Sequence, residues 1–219
     1  MSRTGSGALL DGELMAALFP GCQVVRGYLA GRLVDAVFRV DLAEHERRLR
    51  YGLRSVRVPE LLRLLADLPV GVLVDDPALR FATDLLPAGV VERQPVGVGR
   101  LLAPPVELAA VVVPAVGPAR TRHVGVADRF APYARRWVIS GDPQVDVATL
   151  VAASVRGVGL IVRTPTPEAV AAAGPVAGRR VPGLAWLLAE EAYGAWVAVG
   201  LRSRRGELAE TAPAGGLLI

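Results

Sequence analysis

The chain has 219 residues, 52% of them hydrophobic and 5% aromatic, and a net charge of +4 in which all 25 basic residues are arginine. Such a composition describes a folded chain with a small-residue core. Without lysine it excludes a phosphate-loop lysine, a Schiff base and a kinase-type ATP lysine. One cysteine, Cys22, and two histidines, His45 and His123, exclude an intrachain disulfide, a Cys-x-x-Cys site and a histidine-rich metal site.

In chain order, residues 11–19 read as a short helix closed by Pro20-Gly21. Two β-like runs follow, 23–29 and 33–42, split by Ala30-Gly31. Residues 43–54 have helical character, with Glu44–Arg48 and Glu46–Arg50 at i, i+4 spacing, which predicts a solvated, salt-bridged face. Pro59 opens a helix whose leucines, through Leu68, make an apolar stripe. Val72–Val74 reads as a buried strand leading into Asp76-Pro77.

The stretch 95–105 is rich in proline and glycine and predicts a boundary between residues 1–103 and residues 104–219. Beyond it, 107–113 reads as a buried strand, 114–123 as an arginine-bearing loop and 126–135 as a short helix. Trp137–Ile139 reads as a strand before Asp142-Pro143, and 159–162 as another buried one. Thr166-Pro167-Glu168 predicts a helix start, residues 183–193 a helix, 196–201 a strand and the residues from about 203 a mobile tail. The apolar run 184–201 is broken by Glu190 and Glu191, so the expectation is a cytoplasmic protein with no membrane span.

Asp76-Pro77, four residues and Ala82-Thr83 recur as Asp142-Pro143, four residues and Ala148-Thr149. Each copy then reaches an Arg-x-Pro, at Arg93 and at Arg163. The spacing predicts an α/β fold: a mainly parallel sheet with flanking helices, built from two related βαβ-containing halves. Asp75, Asp76 and Asp142 fall at the expected carboxyl ends of strands, where open α/β sheets bind ligands. Asp76 and Asp142 also have the form of helix N-caps, which leaves Asp75 as the unexplained carboxylate. Arg120 and Arg122 fall in the neighbouring loop and suit an anion. Gly97-Val98-Gly99 lacks the third glycine of a dinucleotide fingerprint, and no nucleophile elbow occurs.

The segment Ala17-Leu18-Phe19-Pro20-Gly21-Cys22-Gln23-Val24-Val25-Arg26-Gly27 resembles the opening of the N-terminal sensory domain of purine-catabolism (PucR-type) regulators. The run 155–162, with Pro167-Glu168 and the alanines after it, is similar to the same family's strand–helix close, and equally to DRTGG-type nucleotide-sensing modules. The Gly-Glu-Leu-x-Leu-Thr-Thr segment of the PucR type is absent, so no functional residue is carried over. The resemblance implies a non-catalytic α/β module that binds a small molecule and signals to a partner.

The expectation is therefore a non-catalytic module for small-molecule sensing or protein assembly, its ligand and cofactor unspecified. A homo-oligomer or protein partner is expected, since a mean hydropathy of +0.40 leaves apolar surface to cover. Two rival readings stand beside it. A metal-assisted phosphoester hydrolase requires Asp75 and Asp142 to converge. An arginine-driven nucleic-acid binder requires Arg47, Arg48, Arg50, Arg54, Arg120 and Arg122 on one face.

Overall fold

The computed structural model describes residues 14, 17–162 and 168–210. A mixed sheet of six strands forms its centre, in the order β1-β2-β5-β6-β7-β8. β1 (Gln23–Leu29) and β2 (Arg32–Val40) make an antiparallel hairpin whose turn is Ala30-Gly31, both at positive φ. β2 pairs antiparallel with β5 (Val106–Ala115), so residues on either side of the predicted boundary share one sheet. β5, β6 (Arg135–Ser140) and β7 (Gly159–Val162) run parallel. The crossovers between them carry α4 (Thr121–Asp128) and α5 (Val147–Arg156). β8 (Glu168–Ala171) closes the sheet antiparallel to β7.

The remaining elements are α1 (Leu42–Tyr51), α2 (Pro59–Asp67), α3 (Pro77–Thr83), the separate hairpin β3 (Val91–Gln94) and β4 (Gly97–Arg100), and α6 (Pro182–Glu210).

Strand alternation sorts the core into two faces. Val34, Ala36, Phe38, Val111, Val113, Val138 and Leu160 point to the face covered by α4, α5 and α6. Val37, Ala110, Val112, Trp137, Ile139 and Ile161 point to the other, where Phe19 sets its ring edge-on to Trp137. A third core lies under α2 and the β3–β4 hairpin, built from Leu62, Leu65, Val90, Val98, Leu102 and Trp186.

The α/β class holds, but the sheet is mixed: two of its five strand pairings are parallel. The second sequence copy forms a parallel βαβ unit over β6, α5 and β7. The first takes another shape. Val72–Val74 forms no strand beyond a single bridge from Val74 to Val98, and β3 turns straight back into β4. Asp142 also differs from its expected role: α5 begins at Val147, capped by Asp146, whose carboxylate accepts the Thr149 N–H at 2.7 Å.

Three further expectations are corrected. Residues 126–135 do not form the predicted helix; α4 starts earlier, at Thr121, and ends at Asp128. Glu168–Ala171 is a strand, because pairing with the edge of β7 outweighs the helix propensity of its alanines. Residues 196–201 continue α6, which runs on to Glu210 and so takes in the first residues of the expected mobile tail; the rest of that tail lies outside the described residues. The signal was a helical stripe, Trp186, Ala189, Glu190 and Tyr193, all buried, extended by the half-buried Trp196 and Val197. Gly194 fits because a Cβ there would collide with the Arg57 and Ser55 side chains.

Residues 182–201 of α6 are long and apolar enough to cross a membrane by length and composition. In the fold, this segment packs against α2 and β1 and carries the buried Glu190.

Candidate functional site

The sequence-predicted residues separate into two places. Asp75 and Asp76 lie at the entry to α3. The exposed Asp75 carboxylate holds Arg80 at 2.9 Å, and Arg80 also donates to the Pro95 carbonyl at 2.7 Å. Asp76 accepts the Ala78 N–H at 2.8 Å, the N-cap that Asp-Pro predicts.

Asp142, Arg120 and Arg122 lie at the carboxyl ends of β5 and β6. Ser140, buried there, accepts the Ala119 N–H and donates to the Asp142 carbonyl at 2.6 Å. Asp142 turns its carboxylate to the Gln144 N–H at 2.7 Å. Arg120 pairs with Asp146 at 3.0 Å across a hollow of about 450 Å³ that Pro118, Pro143 and Gln144 help to line. His123 Nδ1 accepts the Arg120 N–H at 3.0 Å, and Arg122 Nε stands 3.4 Å from the other ring nitrogen. Arg120 and Asp146 thus pair across two loops, while Asp142 and the His123 ring are each engaged by a backbone N–H two or three residues away.

Other arginines are absorbed by the core. Arg48 is fully buried between Glu44 and Glu190, and Arg47 binds Glu44 and the Gly89 carbonyl. The predicted solvated face of α1 therefore contains a buried ion-pair network, and Arg48 is closed to any phosphate. Among the described residues no group of three or more His, Cys, Asp or Glu side chains is placed to hold a metal ion.

A second cleft, of about 490 Å³, opens at the seam between the third core and the main sheet. Arg100 at the end of β4, Glu107 at the start of β5, Tyr133 before β6 and Arg180 before α6 converge on it, over a floor that includes Trp186 and Ala189. The volume is that of an ordinary small-molecule site. Arg100 lies over the Trp186 ring, 5.1 Å from its centroid, and donates Nη1 to the Leu65 carbonyl at 3.0 Å. Its Nε is buried without an acceptor. Desolvation lowers the Arg100 pKa from its ordinary value. Among the described residues no carboxylate forms an ion pair with Arg100 or Arg180, although the exposed Glu107 also lines the cleft.

Sequence reasoning missed this cleft. Arg100 follows Gly97-Val98-Gly99, a glycine spacing that falls short of a dinucleotide fingerprint, and Arg180 belongs to an arginine doublet. One usable signal was present: a glycine-spaced strand ending in Arg, next to a Pro-rich connection, brings a cation close to the backbone of another segment. Gly99 indeed packs against Leu73 and Val72.

No family model matches the chain, and no curated protein or solved structure matches it either.

Proposed function

We propose that this chain is a non-catalytic α/β module that senses a small anionic molecule, bound in the cleft of Arg100 and Arg180. The observation that supports it is the partly desolvated guanidinium of Arg100, without an ion-pair partner, over Trp186 in a cleft of about 490 Å³. A guanidinium presents planar donors to a carboxylate or phosphate, and an aromatic floor accepts the apolar body of such a ligand. Binding rather than reaction is favoured because the polar groups there are two cations, a solvated carboxylate and a tyrosine, with no nucleophile held against a base.

The seam position suits sensing. Trp186 belongs to the third core and Ala189 to the main one, so a ligand in the cleft touches both packed units. The resemblance to PucR-type sensory domains points to the same class of function.

Thermal unfolding with a panel of carboxylates, nucleotides and sugar phosphates tests this. A ligand at about a hundredfold over its dissociation constant should stabilise by about 2.7 kcal/mol, several degrees of Tm for a chain of this size. Arg100→Gln and Arg180→Gln should abolish the shift, and Arg120→Gln should leave it. A shift lost only in Arg120→Gln would move the site to the strand-end hollow.

A further inference from the structure

Helices α1 and α6 are joined by the buried Arg48–Glu190 pair and by a hydrogen bond of 2.9 Å between His45 and Tyr193. Beside that junction lies a hollow of about 690 Å³, with the loop from Gly52 to Arg57 as its third wall. Its apolar lining is Leu49 and Leu53 on one side and Val197 and Leu201 on the other. Leu49 and Leu201 are 67% and 59% exposed, so neither is taken up by the core.

The charge in this groove is gathered at one end. Arg48 donates to the Arg54 carbonyl at 3.4 Å and the Val56 N–H to Glu190 at 2.9 Å, which ties the loop to the 190–194 turn of α6. Arg57 lies over Gly194, where a Cβ would collide with its guanidinium, and its Nε donates to Ser55 Oγ at 3.0 Å. Arg54 lines the same hollow. Among the described residues neither Arg54 nor Arg57 forms an ion pair. Glu191 feels the charge of Arg57, but its carboxylate accepts the Ala30 N–H at 2.8 Å. Arg48, also in the lining, is already neutralised by Glu44 and Glu190. Leu201 stands seven residues beyond Gly194, about 10 Å along the helix axis.

We propose that this groove binds a medium-chain carboxylate, with its head on Arg57 and Arg54 and its chain along Val197 and Leu201. A guanidinium fits a planar carboxylate, and the distance from Gly194 to Leu201 suits a chain of that size. The volume is that of a small-molecule site. An acidic partner helix would call for cations spread along the groove, and a membrane surface for an apolar face that projects rather than one that is hollow. The groove shares no lining residue with the Arg100 cleft, so failure at one site leaves the other intact.

Calorimetric titration of the full chain with decanoate, below its micelle concentration, should give one site per chain. Acetate, decanol and decyltrimethylammonium remove the chain, the charge and the sign of the charge in turn, and each should bind at least about tenfold more weakly. Arg57→Gln and Leu201→Glu should each weaken decanoate by about tenfold or more, with an unchanged circular dichroism spectrum because both side chains are exposed. Arg100→Gln should leave the affinity as it was. Absence of decanoate binding, equal binding of decanol, or full affinity in Arg57→Gln or Leu201→Glu overturns the proposal. Loss of binding in Arg100→Gln overturns it too, by moving the ligand to the other cleft. Binding confined to vesicles of anionic phospholipid does the same, by making the groove a membrane contact.

Discussion

Arg48 and Glu190, 142 positions apart in the chain, meet in a doubly hydrogen-bonded ion pair, at 2.6 and 2.9 Å, with neither side chain exposed. Glu44 binds the same guanidinium at 2.7 Å, and Glu190 also accepts the Trp186 indole N–H and the Val56 N–H. Burial alone would push the Arg48 pKa down; its bonds to Glu190 and Glu44 outweigh that and raise it. The network ties α1 to α6 and to the loop before α2.

Removing one partner leaves a buried charge uncompensated. Arg48→Ala should therefore cost about 3–5 kcal/mol in denaturant unfolding. Arg48→Met with Glu190→Leu should recover part of that loss, the remainder reflecting the unpaired Val56 N–H and Trp186 indole. A loss below about 1 kcal/mol for Arg48→Ala would mean that water reaches the network.

Gly159 lies against the flat side of Trp137, and a Cβ there would enter the indole ring. Gly159→Ala should destabilise by about 1–3 kcal/mol, the ordinary cost of overpacking a core. The Trp137 environment, read by near-ultraviolet circular dichroism, should change with it. Gly117→Ala is the control, because nothing lies within reach of a Cβ there.

The caps give an ordering. Asp146 accepts from an N–H in the first turn of α5, whereas Asp142 closes only a local turn to Gln144. Asp146→Ala should lower Tm more than Asp142→Ala. The opposite order would return Asp142 to a helix-starting role.

His123 gives the chain a pH response. Desolvation lowers its pKa below the ordinary 6.5, and the charges of Arg122 and Arg120 push the same way. Between the folded and unfolded pKa values the unfolded chain binds more protons, so stability rises with pH there. The contribution is complete above about pH 6.5 and is lost as pH falls through the folded value. His123→Gln keeps an acceptor for the Arg120 N–H and should flatten the decline of Tm on acidification. Parallel Tm–pH curves for the two proteins would exclude this role.

The sequence by itself determined the elements whose patterns are local. Alternating apolar residues and Ala30-Gly31 specify the β1–β2 hairpin, and Pro59 with its leucines specifies α2. The unbroken apolar runs around Val111 and Ile161 mark strands buried on both faces. Asp76 reads as a cap because capping needs only neighbours in the chain.

Tertiary structure decided whatever depended on distant partners. The i, i+4 pair Glu44–Arg48 is the same in a solvated or a buried helix until Glu190 arrives from the far end of the chain. Glu168–Ala171 became a strand because β7 offered an edge to pair with, and residues 196–201 stayed helical because α6 had already turned that stripe inward. The two Asp-Pro copies, nearly alike in sequence, diverged because one met parallel strands and the other met its own hairpin. Arg100 and Arg180 carry no motif; folding the β3–β4 unit against α6 is what sets them around one cleft. Local patterns are encoded within a turn or a strand, whereas a site drawn from four segments exists only once the packing of apolar surface has fixed where those segments end.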